Sequence, residues 1–250
     1  MIFTCFCIKF NKKYIYYAKN SKYDIILKQR EVYNMNILYE ALFLLICYLL
    51  GSIPSGLIIG KSFRNIDIRD YGSGNLGATN AVRVLGFGLG ALVGIMDIMK
   101  GGAAILLAKY VFSNNSFYNT HIPVIIFGVM AVLGHIFPIF AKFRGGKAVA
   151  TSAGVLLFAS YPIFIIGLVV FIITLLITKY VSLASTVVAI MIFISSLIGY
   201  IFRDTPTFSG LGFNIYFLIT VALLSLFIIW RHIPNYKRLL KGKERRIGDK

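Results

Sequence analysis

The sequence predicts an all-α polytopic membrane protein with seven transmembrane helices, its N-terminus outside and its C-terminus cytoplasmic. Three observations carry this. Of 250 residues, 58% are hydrophobic and only 14% charged, and the mean hydropathy is +0.80, more apolar surface than one soluble core holds. The apolar residues gather in runs of roughly the 17 to 25 residues that cross a hydrocarbon core as helix. The basic residues that produce a net charge of +17 lie mostly between and after those runs, where they act as topology signals.

Residues 1–34 differ from the rest, with seven Lys or Arg against two acids and no sustained apolar period. They lack the charge-then-apolar order of a signal peptide. Gln29-Arg30-Glu31-Val32 can be encoded by a purine-rich stretch resembling a ribosome-binding site just before Met35. The expectation is a start at Met35, followed by a single seven-helix domain over 35–250.

Apolar runs then occupy about 37–60, 85–112, 122–141, 149–178, 183–202 and 213–230. The fourth is too long for one crossing and holds Tyr161-Pro162 near its middle, where proline biases its predecessor out of helix. It reads as two short helices, which brings the crossings to seven. The charges fit that count. Lys61–Arg83 carries four basic residues, Lys142–Lys147 three and the tail after Trp230 eight, all on one side. The loop Ser113–His121 carries none, and Phe202–Gly212 only Arg203 beside Asp204. The basic side is cytoplasmic by the positive-inside rule. Without residues 1–34 the net charge falls to +12, and topology accounts for it without a nucleic-acid partner. Cys5, Cys7 and Cys47 have neither a disulfide framework nor zinc-site spacing.

The densest polar segment is Asp67–Arg83, centred on Gly72-Ser73-Gly74-Asn75-Leu76-Gly77-Ala78-Thr79-Asn80. Glycines let backbone N–H groups turn toward one point, and a helix start followed by Arg83 suits phosphate. A flexible turn is the plainer alternative, but the density of Gly, Ser, Asn and Thr beside arginine favours an anion site. The segment is neither a Walker loop nor a dinucleotide fingerprint. A second candidate is Gly145-Gly146-Lys147 before the fourth run, where Lys147 either holds another phosphate or anchors a span edge. The third is the tail, where His232 and Asn235 lie three residues apart beside the last span. Ser185, just inside the sixth span, either caps a helix or touches ligand, and Asp97 and Lys100 are one turn apart in the second run, able to pair as structural glue.

These residues, with Gly51-Ser52-Ile53-Pro54 in the first run, Gly134-His135-Ile136-Phe137-Pro138 before the second motif and the tail through Glu244, closely resemble the acyl-phosphate-dependent glycerol-3-phosphate acyltransferases of bacterial membranes, the PlsY family. The resemblance covers essentially everything from Met35 onward. It implies a multi-pass plasma-membrane enzyme, taken as a monomer, with its site facing the cytoplasm. It also implies transfer of a fatty acyl group from acyl-phosphate to the 1-hydroxyl of sn-glycerol 3-phosphate, giving lysophosphatidic acid and phosphate as a first step of phospholipid synthesis. The positions carried over are Ser73, Arg83, Lys147, His232 and Asn235 as catalytic. Asn75 and Ser185 are carried over as substrate- or phosphate-binding, and Gly72, Gly74, Gly77, Thr79, Asn80, Gly145 and Gly146 of the same segments are read with them as substrate- or phosphate-binding, with no metal and no cofactor.

Two positions depart from the family pattern. Ala148 stands where glycine is usual after Gly-Gly-Lys, and Ile233-Pro234 interrupts the tail, which should hold Ile233 extended. An activated acyl donor leaves the protein to join two phosphate-bearing substrates and stabilise the oxyanion, with either His232 or a substrate phosphate as base. A transporter of an organic phosphate is the alternative, though the polar motifs sit on one face and no matched pair of broken helices is evident.

Overall fold

The computed structural model describes residues 9–10, 13–14, 22–113 and 122–248, with side chains over 36–112 and 122–248. The chain divides into two compact units, Met1–Ala41 and Leu42–Lys250. In the first, β1 (Lys9–Phe10) pairs antiparallel with β2 (Lys13–Tyr14), and helix α1 (Lys22–Gly51) begins and runs without a break through Met35. Most of the expected loop Ser113–His121 lies outside the described residues.

The second unit is helical. After α1 come α2 (Ser55–Arg64), α3 (Ala78–Leu85), α4 (Phe87–Ser113), α5 (Val124–Ile136), α6 (Val149–Ala159), α7 (Tyr161–Thr178), α8 (Val181–Ile201), α9 (Ile215–Arg231) and α10 (Ile233–Leu240). Among the described residues, five stretches are long and apolar enough to cross a bilayer: Asn36–Arg64, Phe87–Phe112, Val124–Ala141, Tyr161–Thr178 and Val181–Ile201. A sixth results if α9 and α10, bent by 44°, count together. The predicted seven are therefore not all of spanning length. The chain does break inside 149–178, but at Ser160, which is extended (φ −152°, ψ 90°), and Tyr161-Pro162 opens α7, where proline's missing N–H costs nothing. This leaves α6 with 11 residues, about 16 Å of helix against a core of about 30 Å.

Helices meet through backbone contacts that only small residues permit. A Cβ on Gly154 of α6 would lie 1.9 Å from the Ile98 carbonyl of α4, and one on Gly134 of α5 would lie 2.1 Å from that of Tyr48. Buried Ile105, Val132, Val155, Ile163 and Val221 join α4, α5, α6, α7 and α9 in one apolar cluster. Outward faces are apolar too, as Leu176 and Ile177 on α7 and Leu223 and Leu226 on α9 show, the pattern of lipid contact. The first crossing is interrupted between Gly51 and Ser55, and a carbonyl freed there, Ile53 O, accepts from Lys100 Nζ at 3.0 Å. Lys100 pairs in turn with Asp97 at 2.9 Å, as their spacing predicts.

Candidate active site

Asp67–Arg83 is folded around one side chain. Asn80, 1% exposed, sits in the first turn of α3 and faces back into the loop. Its Oδ1 accepts from Ser73 N (2.7 Å) and Ser73 Oγ (3.1 Å). Its Nδ2 lies 2.9–3.2 Å from the carbonyls of Ile68, Tyr71 and Asn75. Gly72 and Gly74 have φ of +64° and +71°, the region glycine enters without cost, and a Cβ on Gly72 would strike Asn80 Oδ1 at 2.3 Å. Gly74 N–H donates to Tyr71 O at 3.1 Å. The expected cradle of converging N–H groups is thus closed at Ser73 and Gly74, whose hydrogens point into the loop. Ser73, Thr79 and half-buried Asn75 remain at its surface.

Three hydrogen bonds draw the polar segments together. Arg69, held by Asp67 at 2.5–3.1 Å, donates from Nη1 to Ala141 O at 3.0 Å, which ties the first loop to the second. Arg231 Nη2 donates to Gly146 O at 3.1 Å, tying the second loop to the end of α9. Lys147 Nζ donates to Asn235 Oδ1 on α10. Asn235 Nδ2 donates to Glu244 Oε1 at 2.6 Å, and Ser182 Oγ at the start of α8 and Arg238 Nε donate to the same carboxylate at 3.0 and 2.8 Å.

The electrostatics follow from this crowding. Burial lowers Lys147 to about 8; Glu244 opposes the shift, while Arg238, Arg231 and Arg83 add to it. Burial would raise Glu244, but hydrogen bonds from Asn235, Arg238 and Ser182 hold its carboxyl below the usual range. His232, just past the end of α9, is pushed down to about 4 by burial and then by the charge of Lys147. Its Nδ1 lies 2.8 Å from Ile228 O, and since a carbonyl only accepts, Nδ1 carries the proton and Nε2 is the ring's lone pair.

A family model described as glycerol-3-phosphate acyltransferase matches residues 41–242. A glycerol-3-phosphate acyltransferase of Listeria monocytogenes serotype 4a (strain HCC23) is 48% identical over 203 residues, 81% of this chain and 94% of that one. The chain belongs to the glycerol-3-phosphate acyltransferase family. Crystal structures of an integral membrane glycerol 3-phosphate acyltransferase, PlsY (YgiH), match at 34% identity. Its glycerol 3-phosphate form gives a TM-score of 0.71 with 83% of this chain and 95% of that one covered. Its lysophosphatidic acid form gives 0.68 with 82% and 94%. This acyltransferase is therefore a multi-pass membrane enzyme that acylates glycerol 3-phosphate for phospholipid synthesis.

Of the residues expected from the sequence, the acyltransferase brings Lys147, Asn235, Arg83 and His232 into one charged neighbourhood. Asn80 belongs inside the loop rather than on a ligand. Ser185 is 2% exposed and its hydroxyl donates to Val181 O at 2.9 Å within α8, while Ser182, one turn earlier, makes the contact to Glu244. Gly145 and Gly146 lie against His135: a Cβ on each would fall 2.1 and 2.2 Å from its carbonyl oxygen and its Nε2. Ile233-Pro234 does not stay extended; both residues open α10, Asn235 N–H bonds His232 O at 2.9 Å, and a proline in a first turn has no N–H to satisfy. Glu244 closes the tail motif with no role assigned to it there, although a lone carboxylate among the basic residues at 231–246 is a signal for a fixed ion pair.

Proposed function

We propose that the acyltransferase takes acyl-phosphate as donor and joins it to glycerol 3-phosphate at the Lys147–Asn235 centre, on the cytoplasmic side of a seven-crossing monomer. The observation that carries this is the charge balance. Three cations, Arg83, Arg231 and Arg238, act on the Lys147 ammonium, and Glu244 is the acid that acts against them. A half-buried site with such an excess gains most from ligands that bring several negative charges, and a donor and an acceptor that both carry phosphate supply them.

In this reading Lys147 and Arg83 meet the two phosphates, while Ser73, Asn75 and Thr79 supply hydrogen bonds from the loop surface. Asn80 and Gly72, Gly74 and Gly77 give the loop its shape; Asn235 aims Lys147. Ser182 reaches the site from α8 through Glu244, with Ser185 buried behind it. The 1-hydroxyl oxygen attacks the acyl carbonyl carbon, the carbon–oxygen bond to phosphate breaks, and inorganic phosphate leaves with the electron pair. A substrate phosphate oxygen takes the hydroxyl proton. His232, neutral with its lone pair on Nε2, orients that hydroxyl, and a ring lowered to about 4 is a weak base at neutral pH. The solved relative captured with glycerol 3-phosphate and with lysophosphatidic acid has the matching acceptor and product.

The seven-crossing topology rests on α6. Lys109, near the end of α4, donates to Phe158 O near the end of α6 at 2.6 Å, and α6 begins beside Gly101, midway along α4. A short α6 packed on α4 then completes its crossing from a recessed start, with Lys147 just before it. The purified chain, incubated with labelled glycerol 3-phosphate and either acyl-phosphate or an acyl thioester, should release labelled lysophosphatidic acid with acyl-phosphate alone. Product from the thioester alone would overturn the donor assignment.

A further inference from the structure

Beneath Gly145-Gly146-Lys147 lies a buried polar cluster inside the membrane region that the chemistry above does not use. Asp97 is 1% exposed and His135 5%. Asp97 Oδ1 accepts from Ser55 Oγ at 2.9 Å, pairs with Lys100 Nζ at 2.9 Å, and lies 3.5 Å from His135 Nδ1. The opposite edge of the same imidazole abuts the glycine loop: a Cβ on Gly146 would lie 2.2 Å from Nε2, 3.0 Å from Cε1 and 3.3 Å from Cδ2. His135 O accepts the Gly146 N–H at 3.2 Å. One side chain therefore fills the distance between a carboxylate fixed on α4 and the backbone that presents Lys147.

We infer that Asp97 and His135 are positioning residues for the acyl transfer: the carboxylate fixes the imidazole, and the imidazole sets the height of the Gly145–Lys147 backbone so that the Lys147 ammonium meets a substrate phosphate. This rests on the reading that Lys147 binds phosphate. Gly146 is glycine because the ring occupies the place of its Cβ, and its φ is not in the left-handed region. An alanine there is excluded by His135 alone. Gly145 is different, since its Cβ would meet the His135 carbonyl oxygen, which any residue at 135 retains.

The two glycines make the test a suppressor experiment. Gly146→Ala in the wild-type background should raise KM for one of the two phosphate substrates by about tenfold or more, with kcat changed by less than about threefold, the signature of lost ground-state binding. In a His135→Ala background, itself raised in the same KM, adding Gly146→Ala should change that KM by less than about twofold, because the obstructing ring is gone. Gly145→Ala should be harmful in both backgrounds. If His135→Ala does not fold in detergent, His135→Asn replaces it, keeping a donor toward Asp97 while removing the Nε2 edge. Equal damage from Gly146→Ala in both backgrounds, or a folded His135 variant with both KM values unchanged, would overturn the proposal. If Lys147→Ala leaves both KM values at the wild-type level, the phosphate reading of Lys147 fails instead.

Discussion

Lys147 offers a prediction whose size comes from the structure. With its pKa near 8, about nine-tenths of the free enzyme carries the ammonium at pH 7 and about one-eleventh at pH 9. If phosphate binding needs that proton, the apparent KM for the substrate it holds rises about tenfold from pH 7 to pH 9, or ~1.4 kcal/mol. The sign is fixed by the cation: raising pH removes charge from the protein while the substrate, whose second phosphate ionisation lies near 6, stays dianionic throughout. The neighbours add no competing change in this window. Arg83, Arg231 and Arg238 stay charged, Glu244 is held ionised, and His232 is already neutral. Initial rates at half-unit steps from pH 7 to 9.5, corrected for spontaneous hydrolysis of the donor, would give both KM values. Lys147→Arg keeps its charge to far higher pH, so whatever its absolute KM, the profile should be flat. A wild-type KM constant to pH 9.5, or an equal rise in the arginine variant, would refute Lys147 as the phosphate cation.

Four further outcomes follow from the same geometry. Glu244→Gln keeps an acceptor for Ser182 and Asn235 but removes the charge that supports the Lys147 ammonium, so the alkaline rise in KM should move to lower pH; an unmoved rise would count against that coupling. His232→Ala should retain measurable turnover at saturating glycerol 3-phosphate, and complete loss in a folded protein would assign proton abstraction to the imidazole. Asn80→Ala takes the side-chain partner from Ser73 N–H and Asn75 O and one of two donors from the carbonyls of Ile68 and Tyr71, at about 1–3 kcal/mol for each group left unpaired and dry. The detergent melting temperature and kcat/KM should both fall, whereas Asn75→Ala should leave melting unchanged. Ala148→Gly removes a left-handed alanine (φ 59°), a gain of about 1–2 kcal/mol, offset by a lost buried methyl of about 0.8 kcal/mol and by about 0.4–1 kcal/mol of unfolded-chain freedom. Its melting temperature should therefore stay within a few degrees of wild type, and a large rise would show that the alanine is strained.

The legibility of this chain divides along one physical line. Spans were readable because lipid imposes length and polarity on each segment independently, so Val181–Ile201 and Phe87–Phe112 could be located without knowing their neighbours. Where one segment's form depends on another, the reading faltered. Helix α6 is too short by length alone, and its place is intelligible only from Gly101, Ile98 and Lys109 on α4. The same holds within the site. Gly-rich composition suggests an anion loop, yet which asparagine stays at the loop's surface depends on the turn of α3 that brings Asn80 back under Gly72. Nothing in spacing distinguishes Asn80 from Asn75. Glu244 and His135 sit in the motifs without a legible role for a related reason: each acts on Lys147 from a distance in sequence, 97 positions after it and 12 before it. A motif marks the residue that holds the charge. The residues that tune its pKa and fix its position become visible only when helices α5, α8 and α10 are brought around it.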